Sequence, residues 1–382
     1  MLIKNKKTKE VNKSMIKSKI GTTMPNNVYL IIVVAIMLII GSYMVFSASY
    51  VGVDSNPPWY YLLRHLLFMM AGLVMGFLFF NIGKVKNKSL IIYSFFIISI
   101  ALLITAYIFG NIGGGSRRWI SLGSINIQPS ELLKPALIIL IAHLLTRKKK
   151  PYIWISLFTA GVVFALVAIE NLSSALIIIL PILVMLIVNG LKKEHYFAIL
   201  GLGSFGIAYF LITKTYRVIR VLNFFPVWLN PLAADYQAKQ SLYALADGGI
   251  FGVGITNSKQ KFFHLPEHHT DFIFAIVGEE LGFLGAVALI LLLFVLSFII
   301  IQIALETENK FGKLAILGFG SLFIFQTLLN LSVVVALVPV TGVTLPFISY
   351  GGSSLVSFLL IIGFILGVSM PRKRKSYENK RL

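Results

Sequence analysis

The residues best suited to chemistry lie in one stretch, Phe262 to Ala286, which reads FFHLPEHHTDFIFAIVGEELGFLGA. Its most informative side chain is Asp271, which directly precedes a long apolar segment. An aspartate titrates at a pKa of ~3.9 in water, and burial beside a low-dielectric layer raises that pKa toward the range of a useful base. Asp271, or Thr270 before it, equally fits a helix N-cap, a position that favours both residue types. Residue types alone leave both interpretations open.

Three glutamates accompany Asp271 in the same stretch. Glu267 precedes it, and Glu279 and Glu280 lie inside the apolar segment that follows. Charges at membrane depth are costly and mark functional or internally paired positions. We therefore expect at least one of Glu279 and Glu280 to face a polar interior.

Histidines at positions 264, 268 and 269 next to these acids invite a metal interpretation. The order Glu-His-His-x-Asp is not the His-Glu-x-x-His pattern of zinc proteases, so a dedicated zinc site is not expected. A hard cation such as Mg²⁺ or Mn²⁺, bridging Asp271 to a phosphate, suits oxygen ligands better and is the one cofactor that we carry forward. The absence of cysteine excludes disulfides and thiol catalysis.

Basic residues near these acids are candidate phosphate ligands. Arg117 and Arg118 lie in NIGGGSRRWISLGSINIQPSE, and Lys259 and Lys261 lie just before the acidic stretch. Guanidinium and ammonium groups form strong charge-assisted bonds with phosphate. The alternative is contact with anionic lipid headgroups. Trp119 is either an interfacial anchor or a platform for a sugar ring.

Two further motifs have both a functional and a structural interpretation. Glu131 and Lys134 are spaced i,i+3, so they share a helix face and can neutralise each other or line a cavity. The segment ISYGGSS contains Ser349 and Gly351 before a helix, where backbone N–H groups can receive an anion. The same glycines can equally form a turn, with Ser353 as the helix cap.

The elements that position these residues are membrane helices. Of 382 residues, 57% are hydrophobic and only 13% are charged, a balance that indicates a polytopic helical membrane protein. The net charge of +20 is divided into short basic runs between apolar segments. That distribution encodes topology in a bilayer and argues against nucleic-acid binding.

The pattern predicts an all-α fold with about ten transmembrane helices and both termini in the cytoplasm. A transmembrane domain over 28–370 lies between basic tails at 1–27 and 371–382, with a large extracellular loop over 214–271 between spans seven and eight. A short amphipathic helix near Tyr236 to Ala244, broken at Asp247, is expected in that loop. The spans are predicted at 28–49, 61–82, 89–109, 131–146, 152–169, 172–189, 196–213, 272–303, 313–336 and 354–370.

Three long motifs carry a family resemblance: GSRRWISLGSINIQPSELLKPA, the run from YQAKQSLYALADGG through HTDFIFAIVGEELG, and PVTGVTLPFISYGGSS. Together they resemble the SEDS family (shape, elongation, division, sporulation) of bacterial cell-wall polymerases, and NSKQK is most similar to its division and sporulation members. One departure is AIENLSSAL, which has Glu170 where the family usually places a proline-containing turn.

The resemblance implies a peptidoglycan glycosyltransferase that polymerises lipid II, a disaccharide-pentapeptide on undecaprenyl diphosphate. It assigns the essential aspartate to Asp271, the outer-loop Arg-Trp pair to Arg118 and Trp119, and the Gln-Pro-Ser-Glu element to 128–131. It also implies a class B penicillin-binding protein transpeptidase and other division proteins as partners, and a place in the bacterial cytoplasmic membrane, enriched at the septum. The alternatives are a lipid II flippase, since transporters also bury charges between many spans, and a non-catalytic scaffold for a transpeptidase.

Overall fold

The computed structural model of the protein describes residues 26–50, 57–85, 88–113, 116–123, 125–147, 151–191, 193–224, 235–262 and 265–370. Within these ranges the chain forms twelve α-helices and one small sheet. The predicted tails, apart from Asn26 and Asn27, and the candidate metal ligand His264 lie outside the described residues.

Ten of the described helices coincide with the ten predicted spans. They are α1 Asn26–Ala48, α2 Pro58–Lys84, α3 Ser89–Phe109, α4 Pro129–Leu145, α5 Pro151–Glu170, α6 Leu172–Val188, α7 Lys193–Ile212, α10 Ile273–Glu306, α11 Lys310–Val334 and α12 Gly352–Ser369. Seven of them, α1, α2, α3, α5, α10, α11 and α12, are long and apolar enough to cross a membrane. Helices α4 and α6, at 17 residues each, are shorter than the ~20 residues of an upright crossing. The fold is that of a helical membrane protein.

The all-α prediction misses a three-stranded antiparallel sheet between α3 and α4. Strands β1 Asn111–Gly113, β2 Ser116–Leu122 and β3 Ile125–Ile127 are ordered β1-β2-β3, with Asn111 opposite Trp119 and Ile120 opposite Ile127. Gly123 has φ +63°, a conformation that suits glycine and allows the tight turn into β3.

Glycines bring α2 and α12 into close backbone contact. A Cβ added at Gly363 would clash with the carbonyl oxygen of Gly76, and one at Gly367 would clash with that of Phe80. Small residues permit such contact in helical membrane proteins, where close van der Waals packing replaces the hydrophobic driving force. Both contacts lie in the C-terminal half of α12 and hold that half of the helix against α2.

Helix α10 is not one continuous span as predicted, because it breaks at Gly282, where φ is +68°. The segment 249–254 supplies the backbone hydrogen bonds that the break removes. Phe283 and Leu284 donate to the carbonyls of Gly249 and Ile250, and the N–H groups of Val253 and Gly254 donate to the carbonyls of Glu279 and Glu280. The break thereby anchors this segment to the membrane helix.

Two short helices follow α7, namely α8 Thr215–Phe224 and α9 Tyr236–Gly248. Helix α9 confirms the amphipathic helix predicted near Tyr236, and it ends at Gly249, where φ is +52°. These helices, the sheet and the segment 335–351 gather at one end of the helix bundle. At the opposite end Ser369 of α12 donates to Asn27 of α1 at 2.9 Å, so the first and last described helices meet there.

Candidate functional site

Asp271 lies in the turn 265–272 that leads into α10, and its side chain is buried, with a relative exposure of 7%. Burial raises the pKa of its carboxyl group to about 6, and a hydrogen bond from the Thr270 hydroxyl opposes that rise. The hydroxyl lies 2.8 Å from Asp271 Oδ1. A carboxylate with this pKa is poised to exchange a proton near neutral pH.

The helix-cap interpretation of this region is wrong. The N-cap position of α10 is Phe272, and no side chain bonds to the first turn. The Thr270 hydroxyl instead lies within hydrogen-bond distance of Glu267 Oε2, at 2.9 Å, and of Asp271. Glu267 is exposed and has a φ of +54°, an uncommon conformation for glutamate that this compact turn stabilises. Glu267 and Asp271 are therefore neighbouring carboxylates in one turn.

The segment 335–351 packs directly against this turn. The Asn330 amide of α11 donates to the carbonyls of both Asp271 and Val343 at 2.7 Å, and the Tyr350 N–H donates to the His269 carbonyl at 2.9 Å. Gly342, with φ +68°, has no side chain, and a Cβ built there would lie 3.9 Å from Asp271 Oδ2. Glycine thus keeps the space above the carboxylate open.

The basic side chain that the structure brings toward Asp271 is Arg220 of α8. Its Nη1 donates to the Val340 carbonyl at 3.0 Å, and its charge favours the ionised form of Asp271. Arg220 is not among the site residues predicted from the sequence. The available signal was its i,i+3 spacing from Arg217 in a short amphipathic segment.

The candidate phosphate ligands Arg117 and Arg118 reach the C-terminus of α5. The backbone N–H of Arg117 donates to Glu170 Oε2 at 2.9 Å, and Arg118 Nε donates to the Glu170 carbonyl at 3.0 Å. Arg118 Nη2 also donates to the Tyr216 hydroxyl at 3.3 Å. Glu170, the residue at the family departure, is therefore an anchor for strand β2. Trp119, next in that strand, is partly exposed.

Lys259 and Lys261 have different environments. Lys259 is exposed. The ammonium of Lys261 lies 2.8 Å from Glu280 Oε1, and the side chains of Lys261 and Glu280 are both fully buried. Ser47 of α1 also donates to Glu280, at 2.6 Å. Lys261 thus binds Glu280 and not a substrate, which corrects its assignment as a diphosphate ligand.

Glu279 anchors the loop before the acidic turn. Its carboxylate accepts the backbone N–H of Lys259 at 2.6 Å and the hydroxyl of Ser258. Both glutamates of α10 are therefore buried and partnered, which confirms that they face a polar interior.

Glu131 and Lys134 form the predicted pair, with Lys134 Nζ 2.6 Å from Glu131 Oε1. Lys134 also donates to Gln326 Oε1 at 2.9 Å, and the Gln326 amide donates to the Thr344 carbonyl at 3.1 Å. The Ser357 hydroxyl donates to the Glu131 carbonyl at 2.8 Å. This buried network joins α4, α11 and α12 to the segment that borders Asp271, so its position is supporting rather than exposed.

Ser349 and Gly351 also have structural positions. The Ser349 hydroxyl accepts the N–H of Leu345 at 2.8 Å, and Gly351 is the N-cap residue of α12 without a side-chain cap bond. The expectation that Ser353 caps this helix is wrong, because its hydroxyl accepts the N–H of Gln128 at 2.9 Å. Both motif residues shape the segment 335–351.

The histidines beside Asp271 serve packing. Burial lowers the pKa of His269 to about 3, so its ring is neutral, and it packs between Tyr61 and Tyr350 at centroid distances of 4.9 and 5.7 Å. His268 Nδ1 lies 2.7 Å from the Leu265 carbonyl. In the part of the chain that the structure describes, no three His, Asp or Glu side chains gather as a metal site.

Comparisons with known proteins show which proteins this chain is similar to. The family model FtsW/RodA/SpoVE, described as cell cycle protein, matches residues 27–374. Stage V sporulation protein E of Bacillus subtilis is 38% identical over 357 residues, covering 89% of this chain and 96% of the relative. A probable peptidoglycan glycosyltransferase FtsW of Geobacter is 36% identical over 354 residues, covering 87% and 94%.

Solved structures give the same result for the fold. A chain of a peptidoglycan synthase complex that coordinates polymerization and crosslinking superposes with a TM-score of 0.69 at 28% identity, covering 89% of this chain and 96% of that one. The rod shape determining protein RodA of Thermus thermophilus superposes with a TM-score of 0.65 at 27% identity, covering 89% and 95%. The arrangement of helices around Asp271 is thus a RodA-like fold.

Proposed function

The chain belongs to the FtsW/RodA/SpoVE family of cell cycle proteins, and from this we propose that it is a peptidoglycan glycosyltransferase that builds glycan strands during cell division. The SEDS resemblance of its motifs agrees with this membership. The substrate that we propose is lipid II, a disaccharide-pentapeptide carried on undecaprenyl diphosphate.

One observation supports the proposed mechanism. The carboxylate of Asp271 is buried and has a raised pKa, and the neighbouring Gly342 has no side chain to fill the space beside it. The proposed reaction is attack by a hydroxyl of the acceptor sugar on the anomeric carbon of the donor. A glycosidic C–O bond forms, the bond from that carbon to the diphosphate oxygen breaks, and the hydroxyl proton passes to Asp271. The undecaprenyl diphosphate leaves with the electron pair of the broken bond. With a pKa of about 6, the Asp271 carboxyl group is mostly ionised at pH 7, so it can accept a proton in the transition state.

The site belongs on the outer face of the cytoplasmic membrane in this proposal. The meeting of Asn27 and Ser369 supports a common side for both chain ends, and the basic runs of the sequence favour the cytoplasm for that side. Ten crossings with both termini inside then place the sheet, α8, α9 and Asp271 outside. Enrichment at the septum follows from the proposed role in division.

A transpeptidase is the proposed protein partner. One structural neighbour comes from a complex that coordinates polymerization and crosslinking. Crosslinking acts on strands that polymerisation supplies, so a class B penicillin-binding protein fits the same division of labour, together with other division proteins. The neighbour supports this partnership by analogy of fold.

A divalent cation at Asp271 stays a prediction. Glu267 and Asp271 are two oxygen ligands in one turn, and a Mg²⁺ or Mn²⁺ ion there would need the substrate diphosphate to complete its coordination. Such an ion would supply charge for the departing diphosphate. Polymerisation by the purified protein in excess chelator, with and without added Mg²⁺, tests it: loss and recovery of activity support the ion, and unchanged activity refutes it.

The direct test of function is a gel assay of the purified full-length protein with lipid II in detergent, beside a leaflet-resolved lipid II assay in vesicles. Glycan strands from the protein alone are the expected product. Transfer between leaflets without polymer would instead indicate a flippase. Activity that appears only with a polymerising partner would indicate a scaffold.

A further inference from the structure

Three arginines surround Tyr216 beside the proposed site, and we refer to Arg118, Arg217 and Arg220 as the guanidinium cluster. Arg118 Nη2 and Arg217 Nε donate to the Tyr216 hydroxyl at 3.3 and 3.1 Å, and Arg220 Cζ lies 5.8 Å from the centre of the Tyr216 ring. The pKa of Arg118 is lowered, first by burial and further by the charges of Arg220 and Arg217. The three guanidinium charges therefore repel one another in a partly buried environment.

Among the described residues, this cluster is neutralised only in part. The carboxylate in contact with the region is Glu170, which already accepts the Arg117 N–H and lies 3.6 Å from Lys214 Nζ. Among the described residues, Asp271 forms no ion pair within 4 Å. Repulsion between like charges costs more where water is scarce. A bound anion would offset this cost.

Arg217 and Arg220 lie three residues apart but differ in how fully their nitrogens are used. Arg217 is buried, and its three nitrogens donate to Tyr216 and to the carbonyls of Phe210 and Ile169. Arg220 is exposed, and its one described hydrogen bond uses Nη1. Since a guanidinium carries five N–H donors, most of those of Arg220 are available to a ligand.

We propose that Arg220, with Arg118 beside it, binds the diphosphate of the lipid-linked donor while Asp271 faces the acceptor hydroxyl. This assignment rests on the proposed function and names the residue that completes its site. The Val340 carbonyl holds Arg220 at one end of the short turn 340–342, and Gly342 at the other end leaves open the space over Asp271. The segment 340–342 therefore lies between the cation Arg220 and the base Asp271. Glycosyl transfer from a diphosphate to a hydroxyl uses both, because the cation binds the diphosphate and the base accepts the hydroxyl proton.

Negative charge develops on the diphosphate oxygen as the bond between that oxygen and the anomeric carbon of the donor breaks. A guanidinium that is already fixed by a backbone carbonyl stabilises that charge without reorganising, and its planar shape suits two phosphate oxygens at once. Arg220 is thus assigned as a catalytic residue that contacts the leaving group. The fully engaged Arg217 is assigned to holding α8 in place.

The first test compares kcat/KM for lipid II polymerisation by full-length protein carrying Arg220→Gln, Arg220→Lys or Lys239→Gln. Lys239 is a matched control, because it lies on the neighbouring helix α9 with its Nζ 5.7 Å from the Tyr243 ring. We expect Arg220→Gln to lose about 100-fold or more, as for loss of one preorganised charge-stabilising donor. Arg220→Lys should recover part of the loss, and Lys239→Gln should match wild type.

The second test measures binding of undecaprenyl diphosphate and undecaprenyl monophosphate to the same variants by thermal shift. Wild type and Lys239→Gln should prefer the diphosphate, and Arg220→Gln should lose that preference while keeping its melting temperature without ligand. Wild-type kcat/KM or an intact diphosphate preference in Arg220→Gln would overturn the assignment. If wild type makes no polymer, the proposed function fails, and the binding comparison still decides whether Arg220 holds a diphosphate.

Discussion

The side-chain amide of Asn330 donates to the backbone carbonyl of Asp271 at 2.7 Å, and the same amide donates to the Val343 carbonyl. One buried side chain of α11 therefore ties the turn that carries the proposed base to the segment that covers it. Asn330 of α11 therefore sets the distance between the turn that carries Asp271 and the segment 335–351.

Replacing Asn330 by leucine should lower kcat more than it changes KM. The change leaves two buried carbonyls without a donor, at a cost of about 1–3 kcal/mol each, and frees the turn to shift. Steady-state polymerisation rates and the pH at half-maximal activity are the measurements. Asn309→Ala is the matched control, because Asn309 caps α11 at its other end through the Phe311 N–H. Equal effects of the two variants on kcat would show that Asn330 acts only through stability.

Gly342→Ala should reduce activity beyond the effect of backbone strain. The φ of +68° costs roughly 1–2 kcal/mol for alanine, and the added Cβ would occupy the space 3.9 Å from Asp271 Oδ2. Gly190→Ala is a control with the same kind of strain, since Gly190 has φ +88° and no neighbour within 4 Å of a built Cβ. Both variants should lose similar stability, and only Gly342→Ala should raise KM for lipid II. A KM equal to that of the control would place the acceptor elsewhere.

Lys134→Met should destabilise the fold strongly, because Glu131 would remain buried without its partner. Removal of one member of a buried ion pair costs about 3–5 kcal/mol, and replacement of both members is often nearly neutral. The double variant Glu131→Gln/Lys134→Met should therefore recover most of the lost thermal stability. A double variant as unstable as Lys134→Met would show that the network needs the charges themselves.

Polymerisation should increase with pH through a midpoint near 6, the pKa to which burial raises Asp271. The sign for stability is opposite. A raised pKa means that the folded protein holds the proton more tightly than the unfolded chain, so stability from this group is lost as pH rises from about 4 through about 6. Asp271→Asn removes that loss and should melt at a higher temperature than wild type at pH 8, but not at pH 4. A lower melting temperature at pH 8 would mean that the ionised carboxylate supports the fold.

The sequence predicted most of the fold because apolar length alone defines a membrane helix. Each of the ten predicted spans coincides with a helix, and the Glu131–Lys134 pair follows from spacing on one helix face. The break of α10 at Gly282 was missed, since hydropathy continues unchanged across it. The hydrogen bonds that stabilise the break come from residues 249–254, and no local pattern in α10 announces them.

The site was predicted in part. The position of Asp271 at the mouth of an apolar segment leaves a base and a helix cap both open, and the family resemblance is what favours the base. Lys261 was predicted as a ligand from its charge alone and is paired with Glu280. Arg220 and Asn330 depend on tertiary contacts between segments more than 50 residues apart along the chain. Residue type indicates what a side chain can bind, and only packing decides which partner it has.

The most direct test of the account is the rate at which purified Asp271→Asn protein polymerises lipid II, measured beside its melting temperature. Asparagine keeps the size of the side chain and cannot accept the proton. We predict a rate at least about 100-fold below wild type, the usual contribution of a general base, in a protein that is folded and no less stable at pH 8. A folded variant that polymerises lipid II at close to the wild-type rate would contradict it.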